Sequence, residues 1–414
     1  MAIGRNIGLA STQHGDSTQG DDMTRVVVFG LMGLFPMGGM AWQVLNHMLG
    51  FQQLQCDVFY VENTGCPPYS FRRQSVVDSA DDNLAFLDHT FRLYDLQERW
   101  SYYDCLSNTW NGMSEGVVKE LLEHSDVIVN LCGGTRPDLQ VPRHGCLVYI
   151  DTDPGVELVG MAERERRSIE LLSAHDVHFT YGWNIGDGIC PLPTAGIDWR
   201  RTHPPVVTAL WHIAQGHTPR TWRSIGTYQN KGKDFTLNGE TYLWSKHLNF
   251  ERVMELPSRV SDRLELALMT PDSNVKERFL SHGWTITDPY PISKTPEDYR
   301  DYITEARGEF SVEKDSYVRM KSGWFSDRTV CFLAAGRPCV VQDTGFGYRV
   351  PCGQGLLSWN SSVEAAEAMN QVGKDYAAHA RAAERIAREY FDASVLLPDI
   401  LDAAGVPRSR PVGV

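Results

Sequence analysis

The sequence predicts an α/β protein of two domains, each a largely parallel β-sheet covered on both faces by helices. Its 414 residues exceed one ordinary domain, for which about 100–200 residues is usual. Short, near-continuously apolar runs alternate with helical patterns along most of the chain, which is the pattern of strands buried on both faces. The alternation breaks once, at Arg200-Arg201-Thr202-His203-Pro204-Pro205, where adjacent prolines cannot continue a helix and force extended backbone.

Residues 1–22 are polar, rich in Gly, Ser, Thr, Gln and Asp, and lack the charged-then-apolar layout of a secretion signal, so a disordered leader is expected. Arg25-Val26-Val27-Val28-Phe29 is the first strand, and it gives way at Gly30 to a glycine-rich loop and a helical pattern. Strands follow at Cys56–Val61, Asp126–Leu131, Cys146–Asp151 and Val177–Thr180, completing a Rossmann-like domain over 23–205. A second Rossmann-like series over 206–388 has strands at Ser224–Thr227, Leu264–Met269, Gly308–Val312 and Cys339–Gln342. The Ala- and Glu-rich stretch from Ser361 to Tyr390 carries apolar residues at helical spacing and breaks near Gly373, giving two helices, with 389–414 left as a last helix and tail.

A net charge of -13 and a pI near 5.5, without a run of Lys or Arg, exclude nucleic acid as the expected partner. No stretch reaches the roughly 20 apolar residues of a membrane span. Even Val26 to Met48 is broken by glycines, Pro36, Gln43, Asn46 and His47. The nine cysteines show no CxxC spacing and several lie in apolar runs, so buried free thiols in a reducing, cytoplasmic compartment are expected. The chain has no HExxH, no Gly-x-Ser-x-Gly, no Walker motif and no aspartate-rich metal loop; neither metal nor cofactor is expected.

The strongest local signal is Ser326-Asp327-Arg328-Thr329 opening a helix that stops at Gly336 and Pro338 and runs into Cys339-Val340-Val341. The free N–H groups of such a first turn, and the helix dipole, suit a diphosphate. Ala334-Ala335-Gly336-Arg337-Pro338, Val340-Val341, Asp343-Thr344-Gly345, Gly353-Gln354-Gly355-Leu356-Leu357, Val363-Glu364-Ala365-Ala366 and Tyr390-Phe391-Asp392 follow in an order that resembles the donor-binding half of GT-B glycosyltransferases, over roughly residues 308–395.

The resemblance implies two Rossmann-like domains facing across a cleft, with the C-terminal helix crossing back to the N-terminal domain. It implies a donor site at Gly226, Thr227 and Lys246 and at Ser326, Asp327, Arg328 and Thr329, with Gly38, Gly39 and Trp42 on the acceptor side. Many retaining enzymes of this fold carry two glutamates where this chain has Gly323 and Cys331. The nearest acids are Asp327 and Glu313, either a ligand of ribose or sugar hydroxyls or, for Asp327, a first-turn helix acid.

Strand ends of parallel sheets gather ligands, which adds Gly134, Arg136, Asp151 and Asp153. Asp151 or Asp153 would serve as the base of an inverting transfer, or would bond its own backbone in a proline-flanked turn. The expected activity is transfer of a hexosyl or deoxyhexosyl group from a nucleoside diphosphate sugar, the co-substrate, to a small-molecule acceptor such as an aromatic natural product. A nucleotide-sugar epimerase and a non-catalytic nucleotide-binding module are the alternatives.

Overall fold

A computed structural model describes residues 23–135, 143–212 and 219–406; the expected leader at 1–22 and Arg136 lie outside them. The first sheet contains β1 (Arg25–Phe29), β2 (Asp57–Glu62), β3 (Trp100–Asp104), β4 (Thr109–Gly112), β5 (Val127–Leu131), β6 (Cys146–Asp151), β7 (Val177–Thr180) and β8 (Trp199–Arg201). Their order is β8-β7-β6-β5-β1-β2-β3-β4. All pairs are parallel except β3 with β4. The second sheet is parallel throughout, with β9 (Thr221–Thr227), β10 (Arg263–Met269), β11 (Thr285–Thr287), β12 (Gly308–Ser311), β13 (Cys339–Gln342) and β14 (Leu356–Trp359) in the order β11-β10-β9-β12-β13-β14.

The central strands are apolar because both faces are covered: Val26, Val27 and Val28 of β1 have no exposed surface. Two Rossmann-like halves are therefore present, as the apolar runs predict. Strands β3 and β4 escape the sequence pattern. Their Trp100-Ser101-Tyr102-Tyr103-Asp104 and Thr109-Trp110-Asn111-Gly112 mix polar and aromatic residues, as an antiparallel pair at a sheet edge does.

Six helices matter for the site: α1 (Gly38–Gln53), α2 (Pro296–Thr304), α3 (Asp327–Ala334), α4 (Ser362–Lys374), α5 (Tyr376–Ile386) and α6 (Ala393–Ala403). Helix α3 starts where the sequence places it, with the Ser326 hydroxyl accepting the Arg328 N–H at 3.2 Å. It ends before Gly336, whose φ of +64° is a left-handed conformation that costs glycine little.

Helix α6 crosses back onto the first half. Gly50 of α1 lies against Ala393 and Leu397 of α6. The outgoing and returning crossings are stitched together, Val206 N–H donating to Phe391 O at 2.8 Å and Ala393 N–H to Val206 O at 2.9 Å. One buried apolar cluster runs from β1 and α1 through Phe325, Val330 and Phe332 to Phe391 and Leu397. No described helix is long and apolar enough to cross a membrane.

Candidate functional site

Both sheets reverse their strand order at the same kind of place. In the first, the chain leaves β1 toward β2 on one side and returns to β5 on the other; in the second, β9 has β10 and β12 as its neighbours. Ligands of open parallel sheets lodge at the carboxyl ends of the strands at such reversals. The loops there are Gly30–Met37 after β1, Cys132-Gly133-Gly134 after β5, Thr152-Asp153 after β6, the segment 228–246 after β9, and Val312-Glu313-Lys314 after β12.

The second half holds a buried charge network behind this face. Arg328 donates through Nε to Glu309, through Nη1 to Ile225 O at 2.8 Å and through Nη2 to the Ser311 hydroxyl at 2.6 Å. Burial opposes its charge, but Glu309 and Glu313 outweigh that and push its pKa above the usual guanidinium value. Lys246 donates to Val312 O at 2.6 Å and to Glu313 at 3.3 Å; burial holds its ammonium below the ordinary lysine value despite Glu313. Arg328 is thus a brace that ties the first turn of α3 to the ends of β9 and β12, with each of its three nitrogens already bonded.

Nearer the first half, Lys314 donates to Asp153 at 2.8 Å, and the Trp244 indole N–H donates to the same carboxylate at 2.5 Å. Lys233 stands 3.7 Å away. Burial lowers Lys314 to about 8 even with Asp153 beside it. Two further bonds bridge the halves: Trp324 Nε1 to Thr152 O at 2.9 Å and Gln43 Nε2 to Asp327 at 3.2 Å. Burial raises Asp327 to about 6, with Gln43 pulling the other way.

The residues chosen from sequence separate into groups. Asp153 and Asp327 each accept a bond from the opposite half, Lys246 pairs with Glu313, and Ser326 caps α3. Gly226 and Thr227 end β9, and a side chain at Gly226 would have only Arg328 near it. Thr329 is buried in the core without exposed surface.

Asp151 is also buried and accepts the Asp153 N–H at 3.3 Å, while its other oxygen has no partner; burial, then Asp153, raises it to about 7. It supports the turn that presents Asp153. Gly38, Gly39 and Trp42 pack the halves together. A side chain on Gly38 would collide with Tyr299 of α2, and Trp42, 1% exposed, donates to Pro296 O at 2.9 Å and lies against Trp211. Gly134 is closed off by Leu31.

Sequence alone did not single out Gln43, Lys314 or Glu309. Lys314 follows a chosen acid directly, which is the one signal that pointed near it. Gly323 and Cys331, set by the resemblance at the positions of the paired glutamates, have structural contacts of their own. Gly323 has φ of +77° and abuts Asn184, and buried Cys331 bonds Asp327 O.

Glu62 ends β2 where a dinucleotide enzyme would hold a ribose. Here it has no exposed surface and accepts the Gly33 and Leu34 N–H groups, each at 2.6 Å, and the Tyr60 hydroxyl. Its lone pairs fasten the loop after β1. All nine cysteines are free; Cys56, Cys190, Cys331 and Cys339 are buried, whereas Cys66 and Cys352 are exposed. Among the described residues no group of three or more His, Cys, Asp or Glu is placed to hold a metal ion.

Neither a protein-family model nor a curated protein matches the sequence. Solved structures do. AviGT4, a glycosyltransferase involved in avilamycin A biosynthesis, matches with TM-score 0.55 and 13% identity, over 92% of this chain and 97% of its own. HepE from Anabaena, solved with UDP and glucose, gives 0.55 and 11% over 92% and 99%. An alpha-glucosyltransferase solved with UDP-glucose and DNA containing an abasic site gives 0.57 and 10% over 92% and 98%. At such identities the likeness is one of architecture: the chain has the two-domain GT-B fold of nucleotide-sugar glycosyltransferases.

Proposed function

We propose that this protein transfers a hexosyl or deoxyhexosyl group from a nucleoside diphosphate sugar to a small-molecule acceptor. The half from about residue 206 grips the donor, and the half before it presents the acceptor. The observation that carries the proposal is the convergence of Lys233, Lys246 and Lys314 on the carboxyl ends of the neighbouring strands β9 and β12. Transfer of a glycosyl group leaves a nucleoside diphosphate, and fixed cations at the strand ends stabilise the negative charge that develops on it. The structural neighbours solved with UDP or UDP-glucose support the same chemistry.

Asp153, placed at the junction of the halves, is the acid positioned to take the proton of an attacking hydroxyl; buried Asp151 holds its turn. One neighbour carries DNA, but the net charge of -13 here disfavours a polyanionic acceptor and supports a small molecule. The Gln43–Asp327 and Trp324–Thr152 bonds bring the halves together and would exclude water from the activated sugar.

The test is a thermal-shift panel of uridine, thymidine, guanosine and adenosine diphosphates and their sugars. A true donor at a hundred times its Kd stabilises the fold by about 2.7 kcal/mol. Stabilisation by one base, followed by mass detection of a glycosylated product, is the expected outcome. A flat panel at millimolar ligand overturns the proposal.

A further inference from the structure

We propose that Lys314, Trp244 and Lys233 form an oxyanion site for a phosphate of the nucleoside diphosphate, and that the Asp153 carboxylate is the internal occupant this phosphate displaces. The proposal rests on the donor assignment above and deepens it. Both oxygens of Asp153 are engaged from the opposite half: Oδ1 by Lys314 Nζ at 2.8 Å, Oδ2 by Trp244 Nε1 at 2.5 Å, with Lys233 Nζ at 3.7 Å. Carboxylate and phosphate oxygens accept from the same charged and indole donors, so one replaces the other without rebuilding the site.

The donors are pre-set by their own half. Asp315 N–H donates to Ser245 O at 2.9 Å and Ser316 N–H to Leu243 O at 3.1 Å, which lays residues 243–245 alongside 314–316. The Trp244 backbone N–H donates to the Asp234 carboxylate at 2.7 Å. The Lys314 ammonium lies 4.0 Å from the centre of the Trp244 ring, and that of Lys233 4.9 Å. Lys314 also donates to the Tyr317 hydroxyl at 3.2 Å, so the donors have supports in their own half beside their contacts with Asp153.

The charges give the direction of exchange. Lys246 has its counter-ion, Glu313, within its own half, whereas Lys314 and Lys233 both pair with Asp153 from across the cleft. Three ammonium groups cluster here, close enough that Lys233 and Lys246 oppose the charge on Lys314. Withdrawing Asp153 takes from Lys314 and Lys233 the carboxylate they share, and the negatively charged diphosphate of a nucleotide sugar supplies oxygens in its place. Displacement also frees Asp153 at the carboxyl end of β6, on the acceptor side of the cleft.

The experiment is calorimetric titration of wild type, Asp153→Asn and Trp244→Phe with the nucleoside diphosphate selected by the panel, and with the matching nucleoside. If Asp153 competes, Asp153→Asn binds the diphosphate about tenfold more tightly, the size of one charge-assisted contact, with the nucleoside unchanged. Trp244→Phe weakens the diphosphate several-fold and leaves the nucleoside alone. Equal or weaker diphosphate binding by Asp153→Asn overturns the displacement while the donor assignment stands. Should that variant not fold, Trp244→Phe decides: unchanged diphosphate binding, or equal weakening of both ligands, overturns the phosphate site. If wild type binds no diphosphate, the donor assignment falls first and this inference falls with it.

Discussion

Gln43 of α1 donates its side-chain amide to the Asp327 carboxylate at the tip of α3, 3.2 Å away and 284 residues along the chain. The bond joins the helix that follows the first strand of one half to the helix start that the sequence marked as an anion site in the other. It favours the ionised carboxylate, whereas burial favours the neutral acid and brings it to about 6. Replacing Gln43 by Ala removes the strongest of the contacts that lower the value, so the Asp327 carboxyl titrates higher. Carbon-13 NMR titration of Asp-labelled protein, with Asp327→Asn as the assignment control, measures it; a downward shift would contradict the geometry.

Asp151 makes stability depend on pH in the reverse of the usual carboxylate sense. Its folded value is raised from 3.8 to about 7, so between these limits the native state holds a proton that the unfolded chain has lost. Stability linked to this group is full below about pH 4, falls as pH rises, and levels off above pH 7. The upper bound is about 4 kcal/mol. Asp151→Asn removes the penalty, and thermal melts will show the variant gaining stability over wild type at pH 8 but not at pH 4.

Arg328 tests whether the buried charges act as one unit. Glu309 has no exposed surface, and Arg328 is its partner. Arg328→Met strands Glu309 and takes a counter-charge from Glu313, which costs about 3–5 kcal/mol in urea denaturation. Removing the acid as well, in Arg328→Met with Glu309→Leu, recovers a large part of the loss. A single variant that loses less than about 1 kcal/mol would show that water or another cation serves Glu309.

Much of the architecture is legible in the residues because central parallel strands are apolar on both faces and announce themselves. Arg25–Phe29, Cys146–Asp151, Val177–Thr180 and Cys339–Gln342 appear in the structure with the bounds the sequence suggests, and Ser326 caps its helix as expected. The facing surfaces are a different matter. What Trp42 or Gly38 touches is set by elements more than 250 residues away, and no local pattern distinguishes a glycine that admits a ligand from one that admits a helix. Lys314 was hidden for the same reason, since its partner Asp153 lies 161 positions earlier.

The two neighbouring glycines of α1 turn that distinction into a measurement. At Gly38 an added methyl meets the Tyr299 Cβ and the Thr295 carbonyl, and the latter is backbone, which has little room to yield. At Gly39 the nearest atoms are those of the Tyr299 ring at 3.6–3.7 Å, an ordinary contact. Ala in place of Gly inside a helix gains up to about 1 kcal/mol in propensity, so Gly39→Ala is neutral or stabilising. Gly38→Ala has the same propensity gain but must push α2 from α1, an overpacking cost of about 1–3 kcal/mol that reverses the sign. Because Gly38 N–H also donates to Ser293 O at 2.7 Å, the displacement loosens the contact between the halves as well as the local packing. Amide hydrogen exchange across residues 290–304 should therefore quicken in Gly38→Ala and remain as in wild type in Gly39→Ala. If both variants melt alike, the close approach of α1 and α2 is not what makes Gly38 a glycine.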